Sequence, residues 1–166
     1  MTEARPLNDY EIKLLENIQT SGFQITGVFD PEGANSPFCY SIGFTESIRQ
    51  PEVIVVGLDG NLMGSMIRET FRQCRDEGLE LADWAVADEL LDGFPCVLRK
   101  VHPSWIVPDY FNSAMWFHRR YFGQELVAAM QIVWPCPQTA LFPWDEDCPD
   151  DVVEAQLPMM LPRVAA

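Results

Sequence analysis

Pro37 to Leu58, reading PFCYSIGFTESIRQPEVIVVGL, narrows the folds open to this chain more than any other stretch. From Phe38 to Thr45, Phe38, Tyr40, Ile42 and Phe44 alternate with Cys39, Ser41, Gly43 and Thr45, the period of two that a pleated strand imposes. Val53 to Val56 is a β-branched run that suits a strand covered on both faces. Gly57 then permits a turn or a close approach, and a helix is expected after it. Two strands joined by a polar connection therefore anchor the chain in a sheet. The small face of the first strand leaves room for a packed helix, a neighbouring sheet or a ligand.

The flanking sequence supplies more elements of both kinds. Asn8 or Asp9 is placed to cap a short helix in which Ile12, Leu15 and Ile18 recur at helical spacing, and Ser21-Gly22 ends it. Phe23 to Phe29 alternates as a strand, joined to the central pair through the turn-rich Asp30 to Pro37 as a long hairpin. After Asp59 or Asn61, the residues Leu62, Met63, Met66, Ile67, Phe71 and Cys74 form one stripe of a helix that Gly78 stops. Arg68, Arg72 and Arg75 follow one another on its opposite side, among enough carboxylates to read as a solvated face. Phe94 to Val101 reads as a strand, Asp109 to Tyr121 as a helix and Leu126 to Trp134 as a late strand. Six prolines from Pro135 onward predict little regular structure in the last thirty residues. The fold class is thus α+β: a mostly antiparallel sheet of about five to seven strands, open or barrel-like, with about three helices. One domain over residues 1–166 is expected, with its core at about 10–157 and a Pro-rich acidic segment at about 135–166.

Charge excludes some classes of function. With 25 acidic against 11 basic side chains, the net charge of -14 repels phosphates, which argues against nucleic acid and anionic membrane as partners. No window approaches the ~20 apolar residues of a membrane span, and a cytoplasmic location is the expectation. Between Arg75 and Arg99 stand seven carboxylates and no base, interspersed with Leu79, Leu81, Trp84, Val86, Leu90 and Leu91, a pattern of folded chain with an acidic exterior. The five cysteines are scattered without a C-x-x-C pair and read as free, mostly buried thiols.

Chemistry-bearing residues are sparse. A Cys39–His118 pair, or a metal held by His102, His118 and Glu52, rests on no local motif. No P-loop, dinucleotide fingerprint, G-x-S-x-G or H-E-x-x-H occurs, and the acidic run Asp145 to Asp151 lacks the ligand spacing of a calcium loop. Trp134, Phe142 and Trp144 stand among prolines, a rigid and flat composition suited to stacking a planar ligand or to capping a core.

GFQITGVF at Gly22 to Phe29, PFCYSIGF at Pro37 to Phe44, PEVIVVGL at Pro51 to Leu58, Gln131 to Pro135 and Phe142-Pro143-Trp144 occur in an order that resembles a bacterial family catalogued as a domain of unknown function. Its members read Y-T-I-G-L, H-P-E-L, Q-L-V-W-P-D and F-P-W in sequence. Here Gln50 stands where members often carry His, and Cys136 where Asp usually follows Trp-Pro. The resemblance implies a small cytoplasmic bacterial domain and carries no activity with it.

Two functions are compatible with these readings. One is a non-catalytic binding or regulatory module whose acidic surface engages a protein partner. The other is a protein binding a flat heterocycle such as a flavin, similar in loose outline to the split-barrel flavin proteins but without their basic phosphate grip. Tyr40, Ser41, Gly43, Thr45, Glu52, Gly57, Trp134 and Trp144 are the candidate ligand residues, with no catalytic residue, metal ligand or cofactor assigned and homo-oligomerisation left open.

Overall fold

Helix α1, Asp9–Ser21, begins where the Asn8 side chain accepts from the Glu11 N–H and Glu11 reaches back to the Asn8 N–H, a reciprocal cap. A computed structural model describes residues 5–164. The buried residues of α1 are Glu11, Leu14 and Ile18. Ile12, expected on the inner stripe, is exposed, because the face that meets the sheet is centred one residue further round.

Strands β1 (Gln24–Val28), β2 (Phe38–Ile42) and β3 (Glu52–Val56) form an antiparallel meander, with Thr26 opposite Tyr40 and Tyr40 opposite Ile54. The strand expected to run to Thr45 stops at Ile42. Gly43, at φ +108, turns the chain into the short helix α2, Phe44–Ile48, and moves Phe44 to the opposite side of the sheet from Phe38, Tyr40 and Ile42. Only glycine suits that corner, since a Cβ would also lie 2.9 Å from the Gly22 carbonyl oxygen.

Helix α3, Gly60–Glu77, follows β3 under the cap of Asp59 and ends at Gly78. Strands β4 (Val86–Leu91) and β5 (Phe94–Lys100) make a hairpin with a bulge between Ala87 and Leu91. After a 3-10 turn at Pro103–Trp105 come α4 (Pro108–Phe122) and β6 (Ala129–Val133), which pairs parallel to β3 and antiparallel to β5. The sheet order is β1-β2-β3-β6-β5-β4. It is open with two edges, so the barrel-like alternative does not hold. The proline-rich end holds one short helix, α5 at Asp150–Ala155, with Pro149 at its N-cap position and Pro158 beyond it, so no proline interrupts its interior.

The alternation of β2 and β3 sorts side chains into two cores. Cys39, Val53 and Val55, with Cys96, Leu98, Met130 and Ile132, pack under Met63, Met66, Ile67 and Phe71 of α3. Phe38, Tyr40, Ile42, Ile54 and Val56 pack on the other side against Leu14 and Ile18 of α1 and Phe111, Ala114 and Phe117 of α4. This three-layer arrangement explains why β2, β3 and β6 are buried along their whole length. All five cysteines are free, four of them buried and Cys74 half-buried. Among the described residues no helix is long and apolar enough to cross a membrane.

Candidate functional site: an acid-flanked tryptophan surface

The structure buries Tyr40, Ser41, Gly43, Glu52 and Trp134, half-buries Thr45 and Gly57, and leaves Trp144 at the surface. Glu52, at the start of β3, is 2 % exposed. Its Oε1 accepts from Ser41 Oγ at 2.7 Å and the Phe44 N–H at 3.1 Å, and its Oε2 accepts from the Gly43 N–H at 2.8 Å. Ser41 Oγ in turn accepts from the Val53 N–H at 2.9 Å. The carboxyl ties the β2–α2 corner to β3. Burial pushes its pKa up to about 7, although the three donors pull in the other direction.

The remaining members of the central set have other partners. Tyr40 faces the α4 side, where its hydroxyl accepts from the Ser113 N–H, and Ser113 Oγ bonds to the Tyr10 hydroxyl. Thr45 donates to the Gln50 carbonyl. Gly57, at φ +93, passes so close to α5 that a Cβ would lie 2.4 Å from the Ala155 carbonyl oxygen. The indole of Trp134 donates to the Val56 carbonyl, while its backbone N–H and C=O both bond to the Gln156 side chain. Of these contacts, those of Gly57 with Ala155 and of Trp134 with Gln156 occupy the crevice outside the carboxyl ends of β3 and β6, where open sheets often take ligands. Cys39 lies in the α3-side core and His118 is on α4, across the sheet. His102 caps the 3-10 turn, and among the described residues no group of three or more His, Cys, Asp or Glu is placed to hold a metal ion.

Trp144 lies at the surface near Arg99 of β5, and shares a cavity with Gln156. Its ring stacks on Phe142 with centroids 5.1 Å apart and 6° between planes, and it meets Trp84 edge-on at 5.1 Å. The guanidinium of Arg99 sits 3.7 Å from the Trp84 centroid and 5.4 Å from that of Trp144. Arg99 Nε also donates to Asp83 Oδ1 at 2.9 Å. Burial alone would raise the Asp83 pKa, but the Lys100 N–H and Arg99 outweigh it and hold the carboxyl below its usual range. Trp84 is 54 % exposed and Trp144 38 %. Trp84 also has φ +71, a strained conformation for a bulky residue.

The contact between these tryptophans joins two acid-rich stretches that are distant in sequence. Glu80, Asp83, Asp88, Glu89 and Asp92 are exposed on one, and Glu146, Asp147, Asp150 and Asp151 on the other. Behind Trp144 lies an almost wholly apolar cavity of 180 Å³, lined by Pro143, Val153, Leu157, Met160 and Leu161 and floored by Gln131. Both polar ends of the Gln131 side chain are used, on the Leu157 carbonyl and the Met159 N–H.

Sequence reasoning identified Trp144 but not its partners Trp84 and Arg99. The available signal was Arg99 itself, the first base after seven carboxylates, since a lone cation in such a run is prone to pairing within it.

No curated protein and no solved structure matches the chain. A family described as a domain of unknown function, DUF4262, matches residues 17–149, a span that takes in the sheet, helices α2 to α4 and the Phe142-Pro143-Trp144 segment. The match covers most of the chain, and the protein belongs to the DUF4262 family.

Proposed function

We propose that this protein is a binding module that takes a basic segment of a protein partner on the Trp84–Trp144 surface. The observation that carries the reading is the pair of exposed, touching tryptophans at the junction of two acid-rich stretches. Tryptophan supplies contact area and a ring face that attracts cations, and Arg99 already demonstrates that interaction within the chain. The surrounding carboxylates draw in a positively charged segment and speed its encounter.

Fluorescence anisotropy of labelled peptides tests the reading directly. Lysine- and arginine-rich peptides are expected to bind, more weakly as salt is added, and the Trp84→Ala/Trp144→Ala double variant to lose about tenfold or more in affinity. Equal binding of acidic peptides of the same length, or unchanged affinity in the double variant, overturns it.

The cavity behind Trp144 favours a second reading, a small apolar ligand. At 180 Å³ it falls below the about 300–1,000 Å³ of typical ligand sites, so it suits a single ring better than a flavin. Native mass spectrometry of gently purified protein is expected to reveal a retained small molecule if this reading is correct.

A further inference from the structure

The two edges of the sheet are built differently. Strand β4, at one edge, carries a bulge, Glu89 at φ +67, and exposed carboxylates on Asp88 and Glu89. These are devices by which an edge strand is kept from pairing with another chain. Strand β1, at the other edge, has none of them. From Phe23 to Phe29 the sequence FQITGVF contains no charge and no proline, in a chain of net charge -14. Among the described residues no backbone hydrogen bond outside the β1–β2 ladder reaches Gln24 to Val28, so the outer side of β1 is open. Val28 is 42 % exposed and Phe29 74 %.

The order of residues indicates what covers this edge. An antiparallel pairing of β1 with itself about Thr26 sets Thr26 opposite Thr26, Ile25 opposite Gly27, Gln24 opposite Val28 and Phe23 opposite Phe29. Each pair is complementary in a specific way. The threonines can exchange hydroxyl hydrogen bonds across the axis, and the bulky Ile25 meets a residue with no side chain. Phe23 already packs against Phe44 and Phe71, and Phe29, otherwise in water, lies over it from the second copy. Phe23, Ile25 and Gly27 share the α3 side of the sheet, as this pairing requires: Phe23 and Ile25 pack on the α3-side core, and Gly27 lies against Cys39, while Phe29 just beyond the strand borders the α3-side cavity with Met63 and Arg68 and also the opposite one with Tyr110.

We infer that β1 is a dimerisation edge, and that two copies of this chain pair antiparallel through it about a two-fold axis at Thr26. The two six-stranded sheets then merge into one of twelve strands. A charge-free strand is where two acidic chains approach with least repulsion, and added salt, by screening the rest of the surface, tightens the dimer. The tryptophan surfaces, beside the far edge of each sheet, end up at opposite ends of the assembly. The inference is independent of what those surfaces bind.

Light scattering on eluting protein, repeated across concentration and salt, tests it with three chains. The wild type is expected at twice the 18.9 kDa chain mass, with the dimer favoured by salt. Thr26→Lys places two like charges opposite one another and is expected at the monomer mass, with circular dichroism confirming its fold. Thr26→Cys is expected to give, under mild oxidation, a covalent dimer whose disulfide maps to position 26 in both chains. This arm decides the matter if Thr26→Lys fails to fold. A wild type that is monomeric throughout overturns the inference, as does a dimer that Thr26→Lys leaves intact and Thr26→Cys does not cross-link.

Discussion

Replacing Glu52 by Gln tests whether this buried carboxyl has the energetic character that its surroundings imply. Between its ordinary pKa of 4.5 and its folded value of about 7, the native protein holds the Glu52 proton while the unfolded chain has released it. Stability from this group therefore falls as pH rises through that window. The penalty is absent below pH 4.5 and complete above pH 7. At about 1.4 kcal/mol per pH unit, the gap between 4.5 and about 7 amounts to about 3 kcal/mol.

Glu52→Gln removes this dependence and introduces a fixed cost. The amide oxygen can still accept from Ser41 and Phe44, but the amide nitrogen then faces the Gly43 N–H, leaving a buried donor unpaired at a cost of about 1–3 kcal/mol. Urea unfolding of both proteins at intervals between pH 5 and pH 8 avoids precipitation near the pI of 4.3 and covers most of the window. The variant should be the less stable protein at pH 5 and gain about 2–3 kcal/mol on the wild type by pH 8. Glu11, which Arg5 holds down to about 2, contributes stability that is present above pH 4.5 and lost as pH falls through about 2, so it does not mimic this trend. A difference between the two proteins that stays flat within about 0.5 kcal/mol refutes the argument that Glu52 is buried without sufficient compensation.

Two further substitutions probe the crevice at the ends of β3 and β6. Gly57→Ala should destabilise by about 3 kcal/mol or more, because it combines φ +93 with a clash against the Ala155 carbonyl; a urea midpoint close to that of the wild type would show that α5 is not seated there. Gln156→Ala should cost about 2–4 kcal/mol by stranding the backbone N–H and C=O of Trp134, measured in the same way, and an effect below about 0.5 kcal/mol would mean that water replaces the amide freely.

Local pattern made the central sheet legible. The alternation around Tyr40, the β-branched run at Val53 to Val56 and the turn-rich link from Asp30 each reflect chemistry within a few residues, and β1, β2 and β3 follow them. Strand β4 was obscured because the carboxylates of its exposed side break the apolar alternation. Gly43 could be read as one more small strand residue, and only the approach of Gly22 and the bonding of Glu52 show it to be a corner. Gly57 was legible as a place of close approach, but not what approaches it.

The candidate site was less legible, for a related physical reason. Trp144 announced itself through composition, but Trp84 lies sixty residues earlier and Arg99 between them, and no periodicity links the three. The sequence by itself determined an acidic α+β protein of the DUF4262 family with a strand-rich centre and a charge-free β1. Tertiary structure decided that Glu52 is buried rather than available, that two acid-rich stretches meet at a tryptophan pair, and that β1 rather than β4 is the unguarded edge. Burial, contact between distant segments and edge position depend on which segments the fold brings together, and short-range pattern carries little information about pairs so far apart.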